Sequence, residues 1–318
     1  MVQFDLFGEV EKKLETRAEQ RKTEAAKPRL VAHRKVYAAP GDPNQHAFSI
    51  AENVIDAWHS HYGGSRMEIP LGTVAALSFF REPLVGDWLR TLEPSQFLPL
   101  LREIWGVQWY HRPDLIECAR PLHDWVEEEP DDQQLRAVQA VVHAAVNTGL
   151  LDLTGHNDPY IRTGADILSP LLTGLRHKSD KRWRGEYHTP PCVSDLMARI
   201  LFDGDRGLSI REPAIGSGGM FRSVAHLLHE LNLNPYDYTW IGNDIDRLSA
   251  ACAAVNAIYW DLGPQVAIWC GNTFEANGLT KALAERTAII EHRNNTVGGA
   301  RMVALIRHVD RLLEGVAA

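Results

Sequence analysis

The chain has 318 residues, 45% hydrophobic and 23% charged, which is typical of a soluble globular protein of about two domains. Its 33 Lys and Arg against 41 Asp and Glu give a formal net charge of −8, which argues against a histone-like chain coated in positive charge. A local basic cleft stays compatible with this total, because nucleic-acid affinity follows the clustering of Lys and Arg.

Residues 1–45 are locally basic and contain few large apolar side chains. They predict a flexible arm that ends at Pro40-Gly41-Asp42-Pro43. The arm would either contact phosphates or be an exposed leader without a binding role.

Residues 46–180 predict an all-helical domain. Apolar residues recur at helical spacing over 50–58, 98–105 and 135–146, and Pro70 marks the start of another helix.

Residues 181–318 alternate short apolar runs with helical stretches, the pattern of a parallel sheet with crossover helices. The sequence therefore predicts an α/β protein, in which a helical N-terminal domain precedes an incomplete Rossmann-like domain. The predicted elements are strands at 208–211, 238–241 and 266–269, helices at about 220–231 and 247–259, and two closing helices at 278–292 and 300–313.

Each predicted strand ends in residues suited to holding a nucleoside. The first runs into the turn Gly216-Ser217-Gly218-Gly219, where the backbone can approach a ligand and leave amides free at a helix N-terminus. The second ends at Asp244, whose carboxylate can accept both hydroxyls of a ribose, and Asp246 is interpreted as a helix cap. The third ends near Asn272, whose amide can bond an adenine edge while Phe274 packs on the ring. Together the strand ends predict a nucleoside-containing cofactor.

A further turn, Tyr187-His188-Thr189-Pro190-Pro191, precedes the first strand. Its prolines fix the backbone at a helix start and leave the Thr189 hydroxyl beside the helix N-terminus. Taken by itself, the turn is interpreted as a helix N-cap followed by a proline start.

The order of these motifs resembles that of the S-adenosylmethionine-dependent DNA adenine-N6 methyltransferases. The motifs are Gly-x-Tyr-x-Thr-Pro at 185–190, Glu-Pro-Ala-x-Gly-Ser-Gly-Gly-Met at 212–220, the Asp244 tip and Gly271-Asn272. The closest likeness is to the modification subunits of type I restriction–modification systems. The helical region, residues 66–72 above all, is similar to their N-terminal helical domain.

The resemblance implies a class I methyltransferase domain with S-adenosylmethionine as its cofactor. Thr189 would face the methionine end, Asp244 would take the ribose hydroxyls and Asn272 would meet the adenine amino group. Glu212 and Asn272 stand where the family more often has Asp, and Ile215 stands where Cys is common. The implied cofactor-binding residues are Tyr187, Thr189, Pro190, Glu212, Pro213, Ala214, Gly216, Ser217, Gly218, Gly219, Asp244, Asn272 and Phe274.

The family's catalytic segment, Asn/Asp/Ser-Pro-Pro-Tyr/Phe after a fourth strand, is absent after Phe274. In the family it holds the flipped adenine by hydrogen bonds to the amino group and by stacking. Asp158, Pro159 and Tyr160 form a weak catalytic candidate in a permuted order, with an ordinary turn as the alternative. We expect either a partner subunit that supplies the catalytic loop or target recognition, or a protein that binds without methylating.

The densest basic stretch comes just before the cofactor motifs. Basic residues with an aromatic, here Trp183, can follow a phosphate backbone and stack on an exposed base. A solvated loop is the alternative. The predicted DNA-binding residues are Arg176, Lys178, Lys181, Arg182 and Arg184.

The leading hypothesis is a DNA adenine-N6 methyltransferase of restriction–modification type, or a subunit of one. The alternative is a catalytically inactive methyltransferase-like module that binds DNA or a partner; an NAD-type dehydrogenase is disfavoured, because the Thr189 turn has no role there. The sequence has no apolar run of ~18 residues, no secretory signal and no C-x-x-C pair, which predicts a cytoplasmic protein. The pairs His59/His61 and His226/His229 lack a third ligand, so no metal site is predicted.

Overall fold

The computed structural model describes residues 41–176, 189–202 and 209–316, with side chains as far as residue 297. The predicted arm up to residue 40 and most of the predicted basic stretch lie outside these residues. All the described elements belong to one unit, Tyr37–Ala318.

The N-terminal part of this unit is helical, as predicted. The predicted periodicities fall in α1 (Pro43–His61), α4 (Pro94–His111) and α6 (Asp132–Asn147), whose apolar faces bury Trp58, Phe97 and Val142. Two short 3-10 turns lie at Arg120–Leu122 and Asp124–Glu127. The helices are α1 (Pro43–His61), α2 (Glu68–Leu77), α3 (Val85–Leu89), α4 (Pro94–His111), α5 (Pro113–Cys118), α6 (Asp132–Asn147), α7 (Leu150–Thr154), α8 (Pro159–Arg162) and α9 (Leu168–Leu175).

The helix starts differ slightly from the prediction. Helix α1 begins at Pro43, inside the predicted arm, because the Asp42 carboxylate accepts the Asn44 amide at 2.9 Å and Pro43 occupies the first helical position. Helix α2 begins two residues before Pro70, since a proline in the first turn removes no intrahelical hydrogen bond.

The C-terminal part contains a parallel sheet of three strands, β1 (Ser209–Glu212), β2 (Thr239–Asp244) and β3 (Val266–Cys270), in the order β1-β2-β3. Glu212 pairs with Gly242, and Asp244 pairs with Cys270, so the carboxyl ends of the three strands meet at one edge. The predicted strands and crossover helices are confirmed, with bounds that shift by at most three residues. The elements are α10 (Pro191–Leu201), β1 (Ser209–Glu212), α11 (Gly219–Glu230), a 3-10 turn (Pro235–Asp237), β2 (Thr239–Asp244), α12 (Arg247–Tyr259) and β3 (Val266–Cys270).

One helix, α13 (Gly278–Val316), follows β3 where the sequence predicts two. The predicted turn at Asn294-Asn295 and Gly298-Gly299 is wrong. These residues have low helix propensity, but none is a proline, so each costs the helix only about 1 kcal/mol or less and does not end it.

The helical part and the sheet share one hydrophobic core. The Trp260 indole donates to the Ala165 carbonyl at 3.3 Å, which ties the end of α12 to the segment before α9. On the β3 side, Arg286 of α13 donates to the Val266 carbonyl at 3.1 Å. The predicted division at residues 180 and 181 stays a prediction. No helix in the described ranges is long and apolar enough to cross a membrane.

Candidate functional site

The glycine turn connects β1 to α11 and has the backbone that the sequence requires. Gly216 has φ +56° and Gly218 has φ +99°, both in the left-handed region that favours glycine. A Cβ on Gly218 would lie 3.0 Å from the Trp260 ring. A Cβ on Gly216 or Gly219 would meet no atom within 4 Å, so the turn is open on that side.

The turn is joined directly to the tip of β2. The Gly216 amide donates to Asp244 Oδ2 at 2.8 Å, and the Asp246 amide donates to Asp244 Oδ1 at 2.9 Å. The Gly218 amide donates to the Ile215 carbonyl at 2.8 Å. The expectation that the turn leaves its amides free is therefore wrong for Gly216 and Gly218, because both N–H groups donate hydrogen bonds within the protein.

The Asp244 carboxylate keeps acceptor capacity after these bonds. An ionised carboxylate has about four lone-pair positions, two on each oxygen. Each oxygen of Asp244 uses one of them for a backbone amide. One position on each oxygen remains, which matches the two adjacent hydroxyls of a ribose.

A cavity of about 830 Å³ lies against the turn and the β2 tip. This volume falls within the range of about 300–1,000 Å³ that is usual for small-molecule and cofactor sites. Ser169, Arg176 and Ser194 from the neighbouring helical segments also line it. The predicted cofactor residues that line the cavity are Thr189, Glu212, Ala214, Gly216, Ser217, Gly219 and Asp244.

Two carboxylates at the cavity have shifted pKa values in opposite directions. Burial raises the pKa of Glu212, which the Ala214 amide opposes and the nearby Asp244 charge reinforces. Burial also acts to raise the pKa of Asp246, but hydrogen bonds from Ser249 and the Arg176 charge outweigh it and lower the pKa. Asp246 caps α12 through the Ser249 amide at 2.8 Å, which confirms its predicted role.

A buried polar network beneath the turn was not predicted. Ser217 is 3% exposed, and its hydroxyl donates to Asp166 Oδ2 at 2.6 Å. Asn256 Nδ2 donates to both Asp166 Oδ1 and the Ser217 carbonyl, each at 2.9 Å. Asn256 lies among the alanines of an apolar helical stretch. A polar residue in such a stretch is the one sequence signal that could have indicated the buried network.

A second unpredicted residue, Asn243, joins the three strand ends. Its Nδ2 donates to the Gly271 carbonyl at 2.9 Å, and its Oδ1 accepts the Thr273 hydroxyl at 3.0 Å. Its own carbonyl accepts the Ile215 amide at 2.9 Å. Asn243 lies inside β2 and is 3% exposed. Its hydrogen bonds hold the turn after β1 and the tip of β3 in place relative to β2.

The β3 tip does not contribute to the cavity as expected. Asn272 Oδ1 accepts the Phe274 amide at 3.0 Å, and Phe274 is 94% exposed. Neither side chain lines the cavity, and neither does Pro213.

The Thr189 turn only partly follows its prediction. Helix α10 starts at Pro191 with Pro190 in the N-cap position, so the interpreted proline start is present, but no side chain caps the helix. Tyr187 lies outside the described residues. Thr189 lines the cavity, whereas Pro190 does not.

The weak catalytic candidate forms a turn. The Asp158 carboxylate accepts the Tyr160 amide at 2.9 Å at the start of α8, and Pro159 is the first residue of that helix. The Tyr160 ring stacks on His226 with 4.6 Å between centroids. None of the three residues lines the cavity.

Arg176 is not on an exposed basic surface. It is 7% exposed, pairs with Asp246 and lines the cavity, because it directly follows α9 and packs against the start of α12. The prediction that Arg176 contacts DNA phosphates from an exposed surface is therefore wrong. Lys178, Lys181, Arg182 and Arg184 lie outside the described residues. Within the part of the chain that the structure describes, no three His, Cys, Asp or Glu residues are grouped to hold a metal ion.

Comparison with known proteins agrees with this architecture. Residues 166–290 match the family model described as N-6 DNA Methylase. The crystal structure of the type I restriction-modification system methyltransferase subunit from Streptococcus thermophilus is similar, with 15% identity and a TM-score of 0.43. The alignment covers 74% of this chain and 60% of that subunit. No curated protein sequence matches the chain.

The described sheet, its crossover helices and the glycine turn define an α/β domain of the Rossmann-like type. Residues 166–290 match the N-6 DNA methylase family model. This match agrees with the resemblance predicted from the motifs and with the predicted enzyme class at the level of the family. The matched region begins at residue 166, so it includes Asp166 and α9.

Proposed function

We propose that this chain binds S-adenosylmethionine and acts as a DNA adenine-N6 methyltransferase subunit of restriction–modification type. One observation carries the proposal: the Gly216 turn and the Asp244 carboxylate meet at a cavity of about 830 Å³, inside the region that matches the N-6 DNA methylase family. The cofactor, when bound, supplies an electrophilic methyl group.

The residues at the cavity fit such a cofactor. Asp244 would accept the two ribose hydroxyls with the lone pairs that its backbone bonds leave. Glu212 would take the ammonium of the amino-acid part, since its carboxylate already bonds the Ala214 amide and lines the same cavity. Thr189 would lie at the methionine end. The chain would thereby fix the orientation of the methyl group, and positioning of this kind contributes a large part of catalysis.

A partner subunit would complete the site for the target adenine. The 318 residues of the sequence contain a single Pro-Pro, at Pro190-Pro191, and between Phe274 and residue 318 there is no Asn/Asp/Ser-Pro-Pro-Tyr/Phe segment. Within the described residues, β1 has no strand on the side away from β2. An incoming strand could pair there and bring a catalytic loop to the edge where Glu212 and Asp244 lie.

An exposed apolar face of α10, a helix that packs against α11, supports the same partner. Helix α10 runs from the cavity, where Ser194 lies, to Phe202, whose ring packs 5.9 Å from that of Tyr238 before β2. Contiguous apolar surface of this kind marks protein–protein contact sites. Its members, each between 39% and 70% exposed, are Val193, Leu196, Met197, Ile200 and Leu201.

Two measurements test the proposal. Calorimetry on the whole chain should give saturable binding of S-adenosylmethionine. Transfer of labelled methyl groups to mixed-sequence DNA should occur only when a strand-donating subunit, such as the product of an adjacent gene with an Asn-Pro-Pro-Tyr segment, is added. A wild-type chain that is folded and binds no cofactor would contradict the proposal.

The second candidate function is a catalytically inactive module that binds DNA or a partner. The missing catalytic segment favours it. It predicts cofactor binding or DNA binding with no methyl transfer under any partner combination. The labelled-methyl experiment therefore separates the two functions.

A further inference from the structure

Asp166 is a buried carboxylate just before α9 that does not itself line the cavity. It is 7% exposed and receives four hydrogen bonds. The Leu168 and Ser169 amides donate to Oδ1 at 3.0 Å each, Asn256 donates to Oδ1 at 2.9 Å, and Ser217 donates to Oδ2 at 2.6 Å. Burial raises the pKa of Asp166, and the hydrogen bonds from Ser217, Ser169 and Asn256 oppose that shift because they favour the ionised carboxylate.

These bonds connect three separate elements. The two amides belong to the first turn of α9, Asn256 belongs to α12, and Ser217 belongs to the glycine turn. Asn256 also donates to the Ser217 carbonyl at 2.9 Å. Ser217 is therefore held at both its side chain and its backbone from the buried side of the turn.

The cavity side of the turn is held by a different residue. The Gly216 amide bonds Asp244, which is the predicted ribose acceptor. A turn with two left-handed glycines has many accessible conformations when it is not held, since glycine restricts the backbone least. Clamping the turn from below by Asp166 and from above by Asp244 fixes its shape before a ligand arrives.

We propose that Asp166 is a positioning residue that, through the Ser217 hydroxyl, holds the Gly216–Gly219 turn in its cofactor-binding conformation. The inference rests on the proposed binding of S-adenosylmethionine. It assigns to α9, an element of the predicted helical domain, a direct part in shaping the cofactor site. Ser217 then acts through its backbone at the cavity, because its hydroxyl proton is used by Asp166.

The test uses Ser217→Ala, Asp166→Asn and the double variant in the whole chain. Ser217→Ala removes only the link, and leaves Asp166 with three donors, so the protein should stay folded. We expect each single variant to weaken S-adenosylmethionine binding by about tenfold, the usual effect of losing a hydrogen bond to a charged group. Both changes remove the same Ser217–Asp166 hydrogen bond. The double variant should therefore have the same affinity as whichever single variant binds S-adenosylmethionine more weakly. Thr173→Ala, which removes a hydroxyl of α9 that bonds only α9 carbonyls in the described structure, should bind like the wild type.

Hydrogen exchange gives a readout that a general structural role would not move. Exchange should rise at the amides of 216–219 in Ser217→Ala while the amides of β2 stay protected. The inference is overturned if folded Ser217→Ala and Asp166→Asn bind the cofactor within twofold of wild type, or if exchange rises equally in β2. If the wild type binds no S-adenosylmethionine, the proposed function fails, and the exchange measurement still decides the role of Asp166.

Discussion

The Gly216 amide donates a hydrogen bond to Asp244 Oδ2 over 2.8 Å, which joins the turn after β1 to the tip of β2. The two residues are 28 positions apart: Gly216 lies in the turn that follows β1, and Asp244 ends the neighbouring parallel strand β2. The bond makes the shape of the glycine turn depend on the Asp244 side chain. It also brings the two cofactor motifs to one wall of the same cavity.

Replacing Asp244 by Asn should weaken S-adenosylmethionine binding by more than about tenfold. Both carboxylate oxygens accept backbone amides, so the amide group of Asn would set a donor against the N–H of Gly216 or Asp246. Calorimetry measures the affinity. Asp237→Asn, an exposed acid before β2, is the matched control and should bind normally. Equal affinity in a folded Asp244→Asn would remove Asp244 from the site.

Gly218→Ala should lower the free energy of unfolding by about 1–2 kcal/mol and weaken cofactor binding. Its φ of +99° disfavours a side chain, and the new Cβ would lie 3.0 Å from the Trp260 ring. Gly219→Ala is the control, because its φ is not positive and a Cβ there meets no atom within 4 Å. Denaturant unfolding of both variants measures the difference. Equal stabilities would show that the turn tolerates a different backbone.

Arg176→Ala should reduce stability and leave the salt dependence of DNA binding unchanged. The variant leaves Asp246 without the guanidinium that pairs with it in a buried setting, a change that costs about 3 kcal/mol or more. A joint substitution of Lys178, Arg182 and Arg184 by Ala should instead flatten the salt dependence. Thermal unfolding and binding to mixed-sequence DNA at several salt concentrations measure both effects. If the salt dependence of DNA binding became flatter in Arg176→Ala, Arg176 would contact DNA after all.

Stability should fall as the pH drops from about 7 to about 5, partly through His226 and His229. Burial lowers the pKa of both histidines in the folded protein. In this window the unfolded state binds protons that the folded state does not, so acid favours unfolding. His226→Gln, which cannot be protonated, should reduce the loss of stability, and the exposed His61→Gln should not. Urea unfolding at a series of pH values measures this; identical pH profiles would contradict the assignment.

Most of the architecture could be predicted because the patterns are local. Helical spacing over residues 50–58 and 135–146 produced α1 and α6, and the three β-rich runs produced the sheet. The single helix α13 was missed because asparagine and glycine pairs weaken a helix without ending it. The exposed Phe274 was assigned to the adenine ring because its position along the chain does not reveal where its side chain points.

The sequence by itself determined the glycine turn, the acid at the second strand end and the resemblance to the N-6 DNA methylases, because each depends on residue types at fixed short spacing. The tertiary structure decided how those motifs are held. Asp166 and Asn256 are 90 positions apart, yet they meet beneath Ser217 because α9 and α12 pack together around the turn. The tertiary structure also decided that Arg176 pairs with Asp246 and does not lie on an exposed surface. Burial depends on how distant elements pack, so no local sequence pattern around Arg176 reveals it.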